Sequence, residues 1–304
     1  MTTTNNIDVQ VHNHHKVETD SNRKVWDAIA DWWERKHSEN GSDGTDMFTE
    51  CLLPQVEDLA NWQVGENVLD LGAGSGIICR IFAKKGARVT GLDYSEPMLE
   101  KARKRAESDG LNVEYAFIDL MDINNMTEYA DKHPEKFDII TISTTLKSLP
   151  SLEPIAKALP LLLKPDGRVV IVDLHPAFSK PAAHRGMEIF EDPETGKQQL
   201  QTYIKVMRYL NIPPSQSEAV RGQPEPLVSA CKNRSIHPLA DVPDKTTYHR
   251  PFWSLLEPFF KNGLVMDAMR EPAFKAEGRD LDHPQSYHNF PQTPMLLAFR
   301  LKLR

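Results

Sequence analysis

The stretch Val68-Leu69-Asp70-Leu71-Gly72-Ala73-Gly74-Ser75-Gly76 decides how this chain is read. Glu66 to Leu71 is a short apolar run of strand length, and a helical pattern resumes after the glycines and continues through Lys85. Glycine lets the backbone turn sharply and approach a ligand closely, and the N–H groups that open the next helix can meet an anion. In an open parallel sheet, ligands bind beyond the carboxyl ends of the strands, beside the first strand, and this turn falls there. The spacing then sorts the ligand. A dinucleotide turn requires Gly-x-Gly-x-x-Gly, but the sixth position counted from Gly72 is Ile77. A Gly-Lys-Ser/Thr phosphate loop is also missing from the turn.

Outward from the turn, strands and helices alternate. Arg88 to Leu92 reads as a second strand ending at Asp93, and Ser95 caps a helix with Met98, Leu99, Ala102 and Ala106 on its inner face. Asn112 to Ile118 is a third strand closed by Asp119, and Phe137 to Ile142 a fourth. A helix over 151–163 and a fifth strand at Arg168 to Leu174 follow. This rhythm predicts a doubly wound parallel sheet. It breaks at 176–248, a region rich in Pro, Gln and charge with one candidate helix at Gln198 to Leu210. A helix at Pro251 to Asn262 and strands at Leu264 to Arg270 and Met295 to Leu301 complete the chain. An insertion of that length is expected to be a binding loop beside the site. Pro160 and Pro258 should each bend the helix that contains it.

At the other end, Trp26, Ala30 and Trp33 recur at helical spacing, as do Val25, Ile29 and Trp32. Two aromatic faces on one helix mean either that protein covers both or that one forms a lid over a ligand. Residues 1–20 lack periodicity and read as a disordered tail. His12, His14 and His15 in that tail have no carboxylate or cysteine at ligand spacing, so no metal site is expected.

Composition bounds the function. The chain has 304 residues, 40% of them hydrophobic, enough to bury a sizeable core, and a formal net charge of −7. That balance argues against nucleic acid as a partner. Cys51, Cys79 and Cys231 form neither a disulfide framework nor a zinc spacing, which fits a reducing compartment. No leader or membrane span is recognisable, so a soluble, cytoplasmic protein is expected.

The motif at Val68 to Gly76 resembles the first motif of class I S-adenosylmethionine-dependent methyltransferases. The resemblance extends over roughly 60–175, because the matching loops occur in order after the matching strands. It implies a Rossmann-like seven-stranded sheet, mostly parallel with an antiparallel last strand, to which the lid reading of the tryptophan helix adds an N-terminal helical lid over 21–60. The cofactor domain would run over 61–304, with 176–248 as an insertion after the fifth strand that shapes the acceptor pocket. It further implies that S-adenosyl-L-methionine is the cofactor. Gly72, Ala73, Gly74 and Gly76 would wrap its methionine part near Asp70. Asp93, in Gly91-Leu92-Asp93-Tyr94-Ser95, would accept both ribose hydroxyls. Met98, Asp119 and Leu120 would meet the adenine, and Tyr94 and Ser143 complete the expected set.

The segments Asp173 to Phe178 and His249 to Phe274 resemble small-molecule methyltransferases of the ubiquinone and menaquinone type. The place after the fourth strand, Ile142-Ser143-Thr144-Thr145-Leu146-Lys147, lacks the Pro-Pro-aromatic turn of nucleic-acid amino-methyltransferases and the Pro-Cys turn of cytosine-5 enzymes. It also lacks the paired glutamates of protein-arginine enzymes. A small-molecule acceptor with an oxygen nucleophile is the expectation, flanked by Trp33, Thr144, His175 and His249. His175 and His249 are candidate general bases, since imidazole titrates near neutral pH, with capping a helix or pairing with a loop carbonyl as the structural alternative. An enzyme that keeps the same cofactor but catalyses a rearrangement or cyclisation would show the same loops.

Overall fold

The structure, a computed structural model, describes residues 22–35, 45–134, 136–179, 183–217, 245–275 and 286–304. The histidines of the 1–20 tail and Cys231 lie outside these residues.

The elements run α1 (22–35), a π-helical turn at Met47–Leu52, α2 (Leu53–Ala60), β1 (Asn67–Leu71), α3 (Ile77–Lys84), β2 (Arg88–Asp93), α4 (Glu96–Ser108) and β3 (Val113–Phe117). Then come α5 (Ile123–Lys132), β4 (Phe137–Ser143), a short turn of helix at Leu146–Ser148, α6 (Glu153–Leu162), β5 (Leu163–Leu174), β6 (Ala183–Glu191), β7 (Gln198–Val206), β8 (Ser215–Ser217) and β9 (Lys245–Thr247). The last elements are α7 (Phe252–Lys261), β10 (Leu264–Arg270) and β11 (Leu296–Leu303).

Seven strands form one sheet in the order β10-β11-β5-β4-β1-β2-β3, with β1 through β5 mutually parallel and β11 antiparallel to both of its neighbours. The order reverses beside β1, so the carboxyl ends of β1, β2 and β4 open on one crevice. The seven strands and the antiparallel last strand are as the motif order predicts.

Both faces of the sheet are covered, which is why its strands read as continuous apolar runs rather than alternating ones. Leu69, Leu71, Ile140, Ile142, Val169, Ile171 and Phe299 pack under α5, α6 and α7. Val68, Ile139, Val170 and Val172 pack under α2 and α3. Alternation along β1 and β4 therefore puts Asp70 and Thr141 on the second face, in register and side by side. Both helix-interior prolines fall in the last turn of their helices, so each removes one i→i−4 bond close to the helix end and less than a full turn follows it.

One expectation is overturned. Residues 198–206 are not helical. They form β7, paired along its whole length with β6 across a turn closed by Gly196 at φ +64°. Thr202, Tyr203, Ile204 and Val206 favour the extended chain. The partner that satisfies their backbone groups lies at 183–191, and no local pattern announces it.

Helix α1 lies along α4, from its cap to its last turn. Val25, Ile29 and Ala30 are buried against Met98, while Asp31 pairs with Lys101 and Glu34 with Arg105. Its first residue, the buried Asn22, donates to the carbonyls of Ser148 (3.0 Å) and Thr246 (3.1 Å) and accepts from the Thr246 amide (3.0 Å). One side chain thus ties α1 to the loop after β4 and to β9.

Candidate functional site

The glycine turn is built against the ends of β2 and β4. The Gly72 and Ala73 amides donate to the Leu92 carbonyl at 2.8 and 3.0 Å, and the Gly74 amide donates to Asp93 Oδ2 at 2.8 Å. All three glycines have positive φ, of +78°, +54° and +76°. Their surroundings differ. A β-carbon at Gly72 would lie 2.4 Å from Thr145 Oγ1, and one at Gly76 would lie 2.3 Å from Tyr115 Oη, whereas one at Gly74 would meet nothing within 4 Å. The outer two glycines serve packing. Gly74 borders open space, where a ligand can approach the backbone.

Two carboxylates flank this space. Asp70 is buried, accepting from the Thr141 hydroxyl at 2.7 Å and from the Cys79 thiol at 3.5 Å. Asp93 is also buried, accepting from Gly74 N–H and from Ser95 N–H at 2.9 Å. Burial is the main cause that lifts each acid from 3.8 to about 6; hydrogen bonds oppose the rise, and at Asp93 the nearby Asp27 adds to it. Among the described residues, neither has an ion-pair partner. Asp27 reaches Ser95 Oγ at 2.6 Å, so α1 contributes a third acid to the same corner. Among the described residues, the buried hydroxyls of Ser75 and Ser143 have no hydrogen-bond partner. Uncompensated acids, orphaned hydroxyls and an open glycine together suit a ligand that carries positive charge and hydroxyl groups.

The other expected cofactor residues are placed as follows. Tyr94 is half-buried, and its phenol is pushed above its usual range by burial and by Asp93, Asp119 and Asp27. Asp119 Oδ1 accepts from the Met121 amide at 2.9 Å, and Leu120 is part of the core beneath α5. Met98 lies under α1. Thr144 holds φ +54°, a conformation that β-branched residues rarely adopt, and its amide donates to the Val172 carbonyl at 2.7 Å.

The two histidines are placed differently. His175 is 1% exposed, stacked on Phe178 and edge-on to Phe252. Its Nδ1 accepts from the Ala177 amide at 3.1 Å, which leaves the proton on Nε2, 2.9 Å from Glu271 Oε1. Burial lowers its pKa against the opposing pull of Glu271. Both ring nitrogens are engaged, and the imidazole acts as a latch between the β5 end and the segment after β10. His249 is half-buried, with Nε2 2.8 Å from the Tyr209 carbonyl and the two rings edge-on. Trp33 stands edge-on to Trp26 at 5.3 Å on α1.

Residues that sequence reasoning passed over crowd the same end of the sheet. Lys245 is buried, with Nζ 4.1 Å from the centre of the Trp26 ring. Arg250 donates to the carbonyls of Leu146 (3.0 Å) and Leu149. The Lys147 amide donates to the buried Asp173 at 3.2 Å. Nothing local marks Lys245. Its burial depends on α1 arriving from more than two hundred residues away.

Residues 63–212 match the family described as Methyltransferase domain. That stretch, about half of the chain, carries a methyltransferase domain. The ubiquinone biosynthesis O-methyltransferase of Actinobacillus pleuropneumoniae serotype 5b (strain L20) is 36% identical over 165 residues, covering 54% of this chain and 63% of that protein. The enzyme of the same description from Salmonella paratyphi A is 29% identical over 161 residues, with 53% and 63% covered. The matches thus span less than two thirds of these relatives' length. Among solved structures, an S-adenosylmethionine dependent methyltransferase from Mesorhizobium loti has a TM-score of 0.53 at 20% identity, over 82% of this chain and 95% of that one. A putative methyltransferase of the same class from Listeria monocytogenes has a TM-score of 0.53 at 23% identity, over 83% and 99%. At those identities the likeness is one of fold.

Proposed function

We propose that this protein transfers the methyl group of S-adenosylmethionine to an oxygen nucleophile on a small-molecule acceptor. The observation that carries the proposal is the pair Asp70 and Asp93, buried on either side of the open Gly74 and, among the described residues, without ion-pair partners. A sulfonium nucleoside with an α-amino group supplies the missing positive charge, and its vicinal diol suits a carboxylate that accepts through both oxygens. In this reading Asp93 holds the ribose, the Gly72–Gly76 turn and Asp70 hold the amino-acid end, and Asp119 and Leu120 meet the adenine. The cofactor brings an already activated methyl group, so the protein chiefly orients the acceptor in line with it and excludes water. The ends of β4 and β5 form the acceptor side, with Thr144 and His249 facing the acceptor. His175 acts there as a positioning residue, because its nitrogens are already spent on Ala177 and Glu271. Helix α1 closes over the cofactor side through Asp27 and the tryptophans. The similarity to ubiquinone biosynthesis O-methyltransferases supports oxygen as the nucleophile.

Calorimetric titration with S-adenosylmethionine tests the assignment, with Asp93→Ala expected to bind at least about tenfold more weakly, the order of one lost charge-assisted hydrogen bond. Unchanged affinity would remove Asp93 from the site. Accumulation of S-adenosylhomocysteine during turnover separates methyl transfer from a rearrangement that leaves the cofactor intact.

A further inference from the structure

Lys245 has no role in the reading above, yet its surroundings are unusual. Its side chain is 9% exposed, and among the described residues its amine makes no hydrogen bond or ion pair; its contact is the face of Trp26 at 4.1 Å. A cation–π contact offsets only part of the cost of removing an ammonium from water. The charged and titratable groups around it come from every neighbouring element. They are Lys147 on the turn after β4, Asp173 at the end of β5, Tyr248 and Arg250 just beyond β9, and Asp27 on α1 next to Trp26. Asp173 is already engaged by the Lys147 amide and by Leu174 N–H at 2.7 Å. Three cations therefore share one buried carboxylate on this side of the crevice, while Asp27, Asp70 and Asp93 crowd the other. Burial and Lys147 bring the lysine down to about 7, against the pull of Asp173, so both of its protonation states are accessible near neutrality.

We propose that Lys245 is the acceptor-binding residue for an acidic aromatic hydroxyl, taking its proton and holding the resulting oxyanion beside the ammonium that rests on the Trp26 face. This rests on the methyltransferase reading and deepens it. The lysine lies beside the carboxyl end of β4. The Tyr248 amide bonds the Lys147 carbonyl at 2.8 Å, and Asn22 bonds Ser148 and Thr246, so β9 is fixed beside the carboxyl end of β4. Trp26 adjoins Asp27, which bonds the Ser95 cap next to Asp93. The step balances. The acceptor O–H proton passes to neutral Nζ, the freed oxygen pair forms the new bond to the methyl carbon, and the carbon–sulfur pair remains on sulfur. A phenol-like hydroxyl is the class whose acidity a near-neutral amine matches, and an aromatic ring is what the neighbouring Trp26 and Tyr248 would cover.

The test uses the full chain with para-nitrophenol, whose anion absorbs in the visible, at about pH 6, below the midpoint of its free ionisation. Wild-type protein should raise the visible band by capturing the phenolate. Lys245→Arg should retain the capture because it retains a cation, and Lys245→Met should weaken it about tenfold. Met removes a buried charge without a partner, so its melting temperature should be no lower than that of wild type, and Arg provides a second variant if it is. S-adenosylmethionine binding is read on the same proteins by calorimetry and should be unchanged in both. Equal capture by wild type and Lys245→Met, or no capture by wild type, overturns the inference and leaves the donor site standing. Capture without any S-adenosylmethionine binding upholds the lysine subsite and refutes the donor reading alone.

Discussion

Replacing Asp70 by Asn should make the empty protein more stable and the site weaker. Burial holds this carboxyl at about 6 instead of 3.8, and a tenfold change in proton affinity corresponds to about 1.4 kcal/mol. Keeping it charged at pH 7 therefore costs the fold about 3 kcal/mol. The amide is neutral and fits the same contacts: Thr141 can still donate to its oxygen, and its NH2 can donate to the Cys79 sulfur. The gain must depend on pH in a defined direction. Because the acid is raised in the folded state, folding takes up a proton between about pH 4 and pH 6, and stability falls as pH rises through that window. The advantage of Asp70→Asn should thus be near 3 kcal/mol at pH 7 and shrink to about 1 kcal/mol at pH 4.5. Urea unfolding at the two pH values measures it. Saturating S-adenosylmethionine should narrow the gap, since a bound ammonium stabilises the charged carboxylate of the wild type only. A variant no more stable than wild type at pH 7, or equally advantaged at both pH values, would refute the claim that this carboxylate is held charged at a cost.

Three further outcomes follow from the geometry. Gly72→Ala should destabilise by about 2 kcal/mol or more, because the residue is at φ +78° and its methyl would meet Thr145 Oγ1; thermal melting reads this. His175→Ala should lower stability by about 2–4 kcal/mol, leaving a gap between Phe178 and Phe252 and an unpaired Ala177 amide, while S-adenosylmethionine affinity is retained. Lost turnover with an unchanged melting temperature would instead make His175 a direct participant in the chemistry. Asn22→Ala should release α1 from Ser148 and Thr246, raising the rate of amide exchange in β9 and in the Leu146–Ser148 turn, with little change in β1 or β2.

The legibility of this protein divides by distance along the chain. Motifs carried by one strand and the turn after it were plain: Asp70 with its glycines, Asp93 at the end of β2, Asp119 at the end of β3. A parallel strand buried on both faces has to be apolar, a turn with positive φ calls for glycine, and an acid at a strand end has few structural uses. The two last strands were also visible as apolar runs. The hairpin of β6 and β7 was not, because a strand is stabilised by a partner, and the polar Gln198 to Gln201 stretch equally suits an exposed helix.

The amino-acid sequence alone determined the strands, the glycine turn after the first of them and the family of the ligand crevice, since each is written in residues a few positions apart. Tertiary structure alone decided which groups in the crevice carry a cost. It engages both nitrogens of His175, leaves Asp70 and Asp93 without a counter-charge, and buries Lys245 beneath a tryptophan brought in from α1. Desolvation depends on everything that surrounds a group, and here those surroundings come from both ends of the chain.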